Sequence, residues 1–212
     1  MNIYFDTEFT GLVFNTSLIS IGCVNEDGDK FYAEFTDYNK NLCDDWINEH
    51  VIGNLIIGDK EWRGRWEGFP GSSGVFGRGT TEDIKKEFIE WLTFACHDRP
   101  FKDKERVQFI SDVCHYDFYL LVNQIFGGAF NLPWFVNPVC YDISQDIARE
   151  YLPKDPMVNK DAVHTFADEM RYGFDRSRED LCELLGGKLP EGDKHNALYD
   201  AEVIKMIYEG MH

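Results

Sequence analysis

The chain has no run approaching the ~18 consecutive apolar residues that a membrane-spanning helix needs, which excludes that kind of span. It has no C-x-x-C pair. Cys23, Cys43, Cys96, Cys114, Cys140 and Cys182 are widely scattered, which argues against zinc ligands or a disulfide frame and for reduced, buried thiols. Cations are scarce: 21 Lys and Arg stand against 38 Asp and Glu, a net charge of −17. Such a surface discourages non-specific nucleic-acid binding and argues against a long duplex tracked along a basic groove. It leaves room for an enzyme that grips only a few nucleotides through bound metals. The glycine-rich stretch 58–79 has no Gly-Lys-Ser/Thr ending, so it is no phosphate-cradling P-loop, and it reads as a flexible surface insertion. Strand-like sequence from residue 3 leaves no room ahead of it for a signal or transit peptide, which predicts a cytoplasmic protein.

What is present is a folded core. Apolar residues make up 43% of the 212, and aromatics 15%, enough for one compact domain spanning 1–212 with no internal repeat. Residues 2–8, 17–24 and 30–35 alternate as strands, the last two joined by an Asp27-Gly28 turn, which gives a three-stranded meander. A calcium loop at that turn is excluded, because Cys23 takes the first ligand position and no Glu stands at the twelfth. Residues 41–52 predict a helix with Leu42, Trp46 and Val51/Ile52 on its buried face. A second, from Thr81 to about His97, carries the stripe Ile84, Phe88, Trp91/Leu92 and Ala95. A strand at 107–111, a helix from Tyr116 to Phe126, a short fifth strand within 134–141 and a helix from Asp142 to about Tyr151 follow. Helices over 161–171, 178–186 and Asn196 to about Tyr208 complete the chain. The expected class is α/β: a mixed five-stranded sheet, an antiparallel three-strand meander plus two parallel strands, flanked by helices.

Asp6-Thr7-Glu8 ends the first strand. Side chains two apart on a strand share a face, so Asp6 and Glu8 point the same way. Adjacent carboxylates repel and are costly to keep unless a cation joins them. Asp117 opens an apolar helix directly after a strand, at the sheet edge where ligands collect in α/β folds. Asp112, also just past that strand, is the rival for the same role. Near the carboxyl end, Asp200 sits about 40° around the helix from Ile204, at the rim of the face formed by Ala197, Ala201, Ile204 and Tyr208. Five helical residues would turn His195 about 140° away from Asp200. For both to serve one site, His195 must lie on the incoming loop.

In this order and spacing, Asp6-Thr7-Glu8, Tyr116-Asp117 and His195-x4-Asp200 resemble the DEDDh branch of the 3′→5′ exonucleases. Asp6-Thr7-Glu8-Phe9-Thr10-Gly11-Leu12 matches the first motif and His195-x-Ala197-x-x-Asp200-Ala201 the third. Leu18-Ile19-Ser20-Ile21-Gly22 and Trp46-Ile47-x-x-His50-Val51 look most like the compact stand-alone exoribonucleases. The resemblance implies a ribonuclease-H-like sheet and two Mg²⁺ or Mn²⁺ ions held by Asp6, Glu8, Asp117 and Asp200, with His195 as general base. It implies Phe9, Leu12 and Thr10 beside the terminal bases, a single-stranded RNA 3′ end as substrate, and a homodimer in which a 68–79 arm reaches the other cleft. Hard anionic oxygens suit those ions, and two of them serve phosphodiester hydrolysis by activating water and stabilising the leaving oxygen. A DNA exonuclease of the same family is the alternative, and a non-catalytic nucleic-acid-binding module a more distant one.

Overall fold

In the computed structural model of the protein, residues 1–58, 74–97, 106–151 and 165–212 are described. Strand β1 (Asn2–Phe9) shows the alternation its sequence requires. Ile3 and Phe5 enter one core, and Tyr4 enters another on the opposite face of the sheet. β2 (Leu18–Asn25) is buried at every position, as a central strand covered on both faces should be. It pairs antiparallel with β1 and with β3 (Lys30–Phe35), which confirms the meander. β5 (Gln108–Ser111) runs parallel to β1, and β6 (Tyr141–Asp142) parallel to β5.

Among the described residues the sheet has six strands, one more than the five expected. β4 (Gly74–Gly79) pairs parallel with β3 and gives the order β4-β3-β2-β1-β5-β6. Three glycines make this stretch read as loop. An edge strand needs only its ladder on one side, however, and Phe76 supplies an anchor against the Tyr32 ring at 6.1 Å. The end of the expected 58–79 insertion is therefore sheet, while its residues 59–73 lie outside the described residues. The strand expected within 134–141 shrinks to a lone Val107–Val136 bridge followed by β6. Pro133 and Pro138 lack the N–H that a continuous ladder would use.

The helices shift more than the strands. The single helix expected at 41–52 is a 3₁₀ turn (Lys40–Leu42), α1 (Asp45–His50) and a second 3₁₀ turn (Ile52–Asn54). Asp44 caps α1 by accepting from the Ile47 N–H at 2.8 Å, so the helix starts late. Its buried residues are Ile47 and Val51, not Leu42 and Trp46, and Trp46 is half exposed. α2 (Thr81–His97) matches its expectation, with Ile84, Phe88, Trp91 and Leu92 buried; the Ala95 side chain lies outside the described residues. α3 (Cys114–Leu120) and α4 (Ile143–Asp146) each loosen into a π turn, at Leu121–Ile125 and Ile147–Tyr151. α5 (Phe166–Asp175) begins with a capping box between Thr165 and Asp168. Residues 161–164 of the expected 161–171 helix are outside the described residues, and the helix runs on to Asp175. α6 (Arg178–Leu184) and α7 (Ala197–Met211) close the chain.

α2 and α3 cover one face of the sheet, while α4, α6 and α7 cover the other. Gly22 fixes the placement of α7. A Cβ there would lie 2.3 Å from the Ala197 main chain, so only glycine lets the start of α7 press onto β2. Gly22 stands directly opposite Asp6 in the β1–β2 register. No described helix is long and apolar enough to cross a membrane.

Candidate active site

The contact at Gly22 brings the first turn of α7 over the end of β1. Asn196 caps α7, its side chain accepting from the Leu198 and Tyr199 N–H groups at 3.1 and 3.4 Å. Asp200 lies one turn into the helix. His195 stays off the helix, as its angular offset required, in a left-handed conformation with φ 63°. Its main-chain N–H donates to Asp200 Oδ2 at 2.9 Å. Its ring meets the Trp46 indole nearly at right angles, with centroids 4.9 Å apart.

Asp117 arrives from the opposite face of the sheet, on α3. Its carboxylate is buried and held at both oxygens: Thr7 Oγ1 donates to Oδ1 at 2.7 Å and Ser111 Oγ to Oδ2 at 2.6 Å. Asp112 is paired with a cation. Arg178 Nε donates to its Oδ2 at 2.7 Å, and the same guanidinium reaches Ser144 Oγ, Gly173 O and Arg176 O. Two triads of potential ligand atoms result, Glu8/His195/Asp200 and Asp6/Asp112/Asp117, each within 4.8 Å of one another. All six residues line one cleft of about 450 Å³, together with Phe9, Leu12 and Tyr116. Phe9 stacks on Tyr116 with centroids 5.5 Å apart and planes 14° from parallel.

No family model matches the chain. Over 66 residues it is 36% identical to a 3′-5′ exoribonuclease of Mycobacterium tuberculosis, in strains CDC 1551 / Oshkosh and ATCC 25618 / H37Rv. That match takes in 31% of this chain and 39% of the relative, so it spans about two fifths of the curated relatives' length. Among solved structures, the nuclease domain of 3′hExo, a DEDDh family member bound to rAMP, superposes with a TM-score of 0.58. It shares 17% identity, with 98% of this chain and 88% of that one covered. A 3′-exonuclease recognising the histone mRNA stem-loop gives 0.54 at 12% identity over 98% and 79% of the two chains. S. pombe Pop2p in its Mg²⁺- and Mn²⁺-bound form gives 0.51 at 17% identity over 98% and 81%. The chain shares the fold of these nuclease domains.

Within that fold the charges are strongly perturbed. Burial, and then the fields of Asp117, Asp200 and Glu8, hold the Asp6 carboxyl well above the usual range. Glu8 is raised by burial and by Asp200 and Asp117. Burial pushes Asp117 up to about 7 against the pull of the Ser111 and Thr7 hydroxyls. Asp200 is also pushed up to about 7, by burial and then Asp112, against the His195 N–H. His195 is lowered by burial, Lys194 and His50, which keeps its imidazole neutral near pH 7. The donor set fits hard divalent cations. Among the described residues, Asp6 and Glu8 have no cationic side chain in ion-pair contact, and a divalent cation held by the triads would relieve their mutual repulsion.

Of the residues expected to touch substrate, Phe9 and Leu12 line the cleft, Leu12 71% exposed. Thr10 does not. It is fully buried, and its hydroxyl accepts from the Ser17 N–H at 3.0 Å inside the turn after β1, so the expectation that it binds substrate is corrected. The described part of the 68–79 arm, residues 74–79, belongs to this chain's own sheet as β4. Thr7, Ser111, Arg178 and Trp46 went unassigned from sequence. The hydroxyls of Thr7 and Ser111, beside or near named acids, were the available signal for two of them; the signal for Trp46 lay only in the Trp46-Ile47-x-x-His50-Val51 resemblance, and the long-range Arg178 contacts left none.

Proposed function

We propose that the chain is a metal-dependent 3′→5′ exoribonuclease that shortens single-stranded RNA from its 3′ end and releases nucleoside 5′-monophosphates. The observation that carries this reading is the convergence of five carboxylates, Asp6, Glu8, Asp112, Asp117 and Asp200, and the His195 imidazole in a single cleft. Asp6, Glu8, Asp117 and Asp200 would hold two Mg²⁺ or Mn²⁺ ions, which supply charge for water activation and for the leaving 3′ oxygen. His195 accepts the water's proton as the new O–P bond forms. The bond from phosphorus to the 3′ oxygen of the preceding nucleotide breaks, leaving a 3′-hydroxyl end on the shortened strand. Thr7 and Ser111 orient the Asp117 carboxylate, and the His195 N–H orients that of Asp200, so two of the four acids are fixed in advance of ligand.

The cleft opens beside Phe9 and Leu12, where unpaired bases can stack, and base stacking is sequence-tolerant. The net charge of −17 restricts the footprint to a few nucleotides. The preference for RNA rests on the printed descriptions of the relatives, two named as exoribonucleases and one solved with rAMP. The five described cysteines are free thiols, which suits the reducing cytoplasm. Matched RNA and DNA oligomers, incubated with Mn²⁺ and with EDTA, test the proposal. Metal-dependent trimming of RNA ahead of DNA supports it. Equal or faster loss of the DNA moves the chain to the DNA exonucleases, and binding without cleavage makes it a non-catalytic module. The homodimer is tested by sedimentation at micromolar concentration, where only the 24.7 kDa monomer would exclude it.

A further inference from the structure

His195 does two things at once: its N–H holds Asp200, and its ring lines the cleft. Both depend on φ 63°, a conformation that a residue with a Cβ keeps only when its surroundings enforce it. One residue outside the cleft braces this turn on both sides. Asn54 Nδ2 donates to the Lys194 carbonyl at 2.8 Å, and the Asn54 carbonyl accepts from Asn196 Nδ2 at 2.9 Å. Asn54 is thus bonded to both chain neighbours of His195.

Asn54 is itself anchored. Its N–H donates to Val51 O at 3.1 Å, and the following Ile57 and Gly58 N–H groups donate to the buried Glu34 carboxylate at 2.7 and 2.8 Å. The Tyr32 hydroxyl links the two sides, donating to Glu34 Oε1 at 3.0 Å and accepting from Asn196 Nδ2 at 3.3 Å. The same segment supplies a wall for the imidazole. Trp46 meets the His195 ring and is backed by His50, whose ring lies 5.0 Å away and 8° from parallel.

We infer that Asn54 is a positioning residue for His195, clamping the left-handed turn that aims the imidazole into the cleft. This rests on the proposed role of His195 as the proton acceptor. Without the Asn54 donor, the Lys194 carbonyl is released, the turn relaxes, and both the ring and the N–H leave their places.

The test is a double-mutant cycle. Asn54→Ala and Asn54→Asp are each made in the wild-type and His195→Ala backgrounds and assayed on an RNA oligomer with Mn²⁺. In the wild-type background kcat should fall about 10- to 100-fold with KM within about threefold. Asn54→Asp should be at least as severe, because it sets an acceptor against a carbonyl. In the His195→Ala background the further cost should be clearly smaller, limited to what the residue-195 N–H does for Asp200. An equal loss in both backgrounds, or an unchanged kcat in Asn54→Ala, overturns the inference. A second readout does not need turnover. The His195 ring protons, shifted by the Trp46 ring current, should move in Asn54→Ala while His115 and His212 stay put, and no movement overturns the inference. A wild-type protein without nuclease activity would sink the proposed function, yet the ring shift would still decide whether Asn54 holds His195.

Discussion

Raising the pH on the metal-stripped protein should unfold it more easily, and a divalent cation should cancel the effect. The cause is the acidic cluster. Asp117 and Asp200 hold protons up to about pH 7 in the folded chain, against 3.8 for an ordinary aspartate. A group whose folded pKa is raised contributes stability that is fully present below its unfolded pKa and is lost as pH rises through the folded one. The window is therefore about pH 4 to 7. For Asp117 alone, the displacement corresponds to about 4 kcal/mol at neutral pH. Asp200 acts in the same direction, but the two acids share one field and their losses do not simply add. Against a typical total stability of about 5–15 kcal/mol, this is a large fraction. At roughly 2–4 °C per kcal/mol for a chain of this size, Tm in EDTA should fall by roughly 10 °C between pH 5 and pH 8. Glu34, also raised by burial, adds to the slope, while the lowered His195 opposes it weakly, its stability being lost as pH falls through the ordinary histidine value. The assay is thermal unfolding across that range in EDTA and in saturating Mn²⁺, for the wild type and for Asp117→Asn. Asp117→Asn should flatten the EDTA curve, and Mn²⁺ should raise Tm most at high pH. A Tm in EDTA that stays level or climbs between pH 5 and 7.5 would refute the reasoning.

Gly22→Ala forces a Cβ to 2.3 Å from the Ala197 main chain and should cost about 1–3 kcal/mol, read as a lower urea midpoint. It should also lower activity, because Asp200 and His195 move away from Asp6. Ser111→Ala removes one donor from the Asp117 carboxylate. With a hydrogen bond to a charged group worth about 1.5–3 kcal/mol, activity in limiting Mn²⁺ should fall about tenfold and recover in part at higher Mn²⁺. Arg178→Ala leaves Asp112 without its partner, so Tm should drop more in EDTA than in Mn²⁺; equal drops would mean the ion pair acts on packing alone.

The parts of the site that the sequence announced are those set by short-range geometry. Asp6 and Glu8 follow from the two-residue period of a strand, and the off-helix place of His195 from the pitch of α7. Asp117 rather than Asp112 at the interior of the site follows from the apolar helix it opens, although Asp112 stands closer to Asp6 than that choice implied. What sequence could not announce is set by long-range contact. Thr10 is placed beside the bases by resemblance alone, yet the returning chain at Ser17 takes up its hydroxyl. Trp46 looked like core until the Asp44 cap shortened α1 and turned the indole toward His195. β4 hid behind its glycines, because an edge strand is specified by its neighbour β3 more than by its own residues.

The most direct measurement is a time course on a 5′-labelled single-stranded RNA oligomer with Mn²⁺, with products identified. The account predicts a ladder shrinking one nucleotide at a time from the 3′ end with nucleoside 5′-monophosphates released, abolished by EDTA and by Asp6→Ala. Internal fragments, or trimming that survives EDTA or the loss of the Asp6 carboxylate, would contradict it.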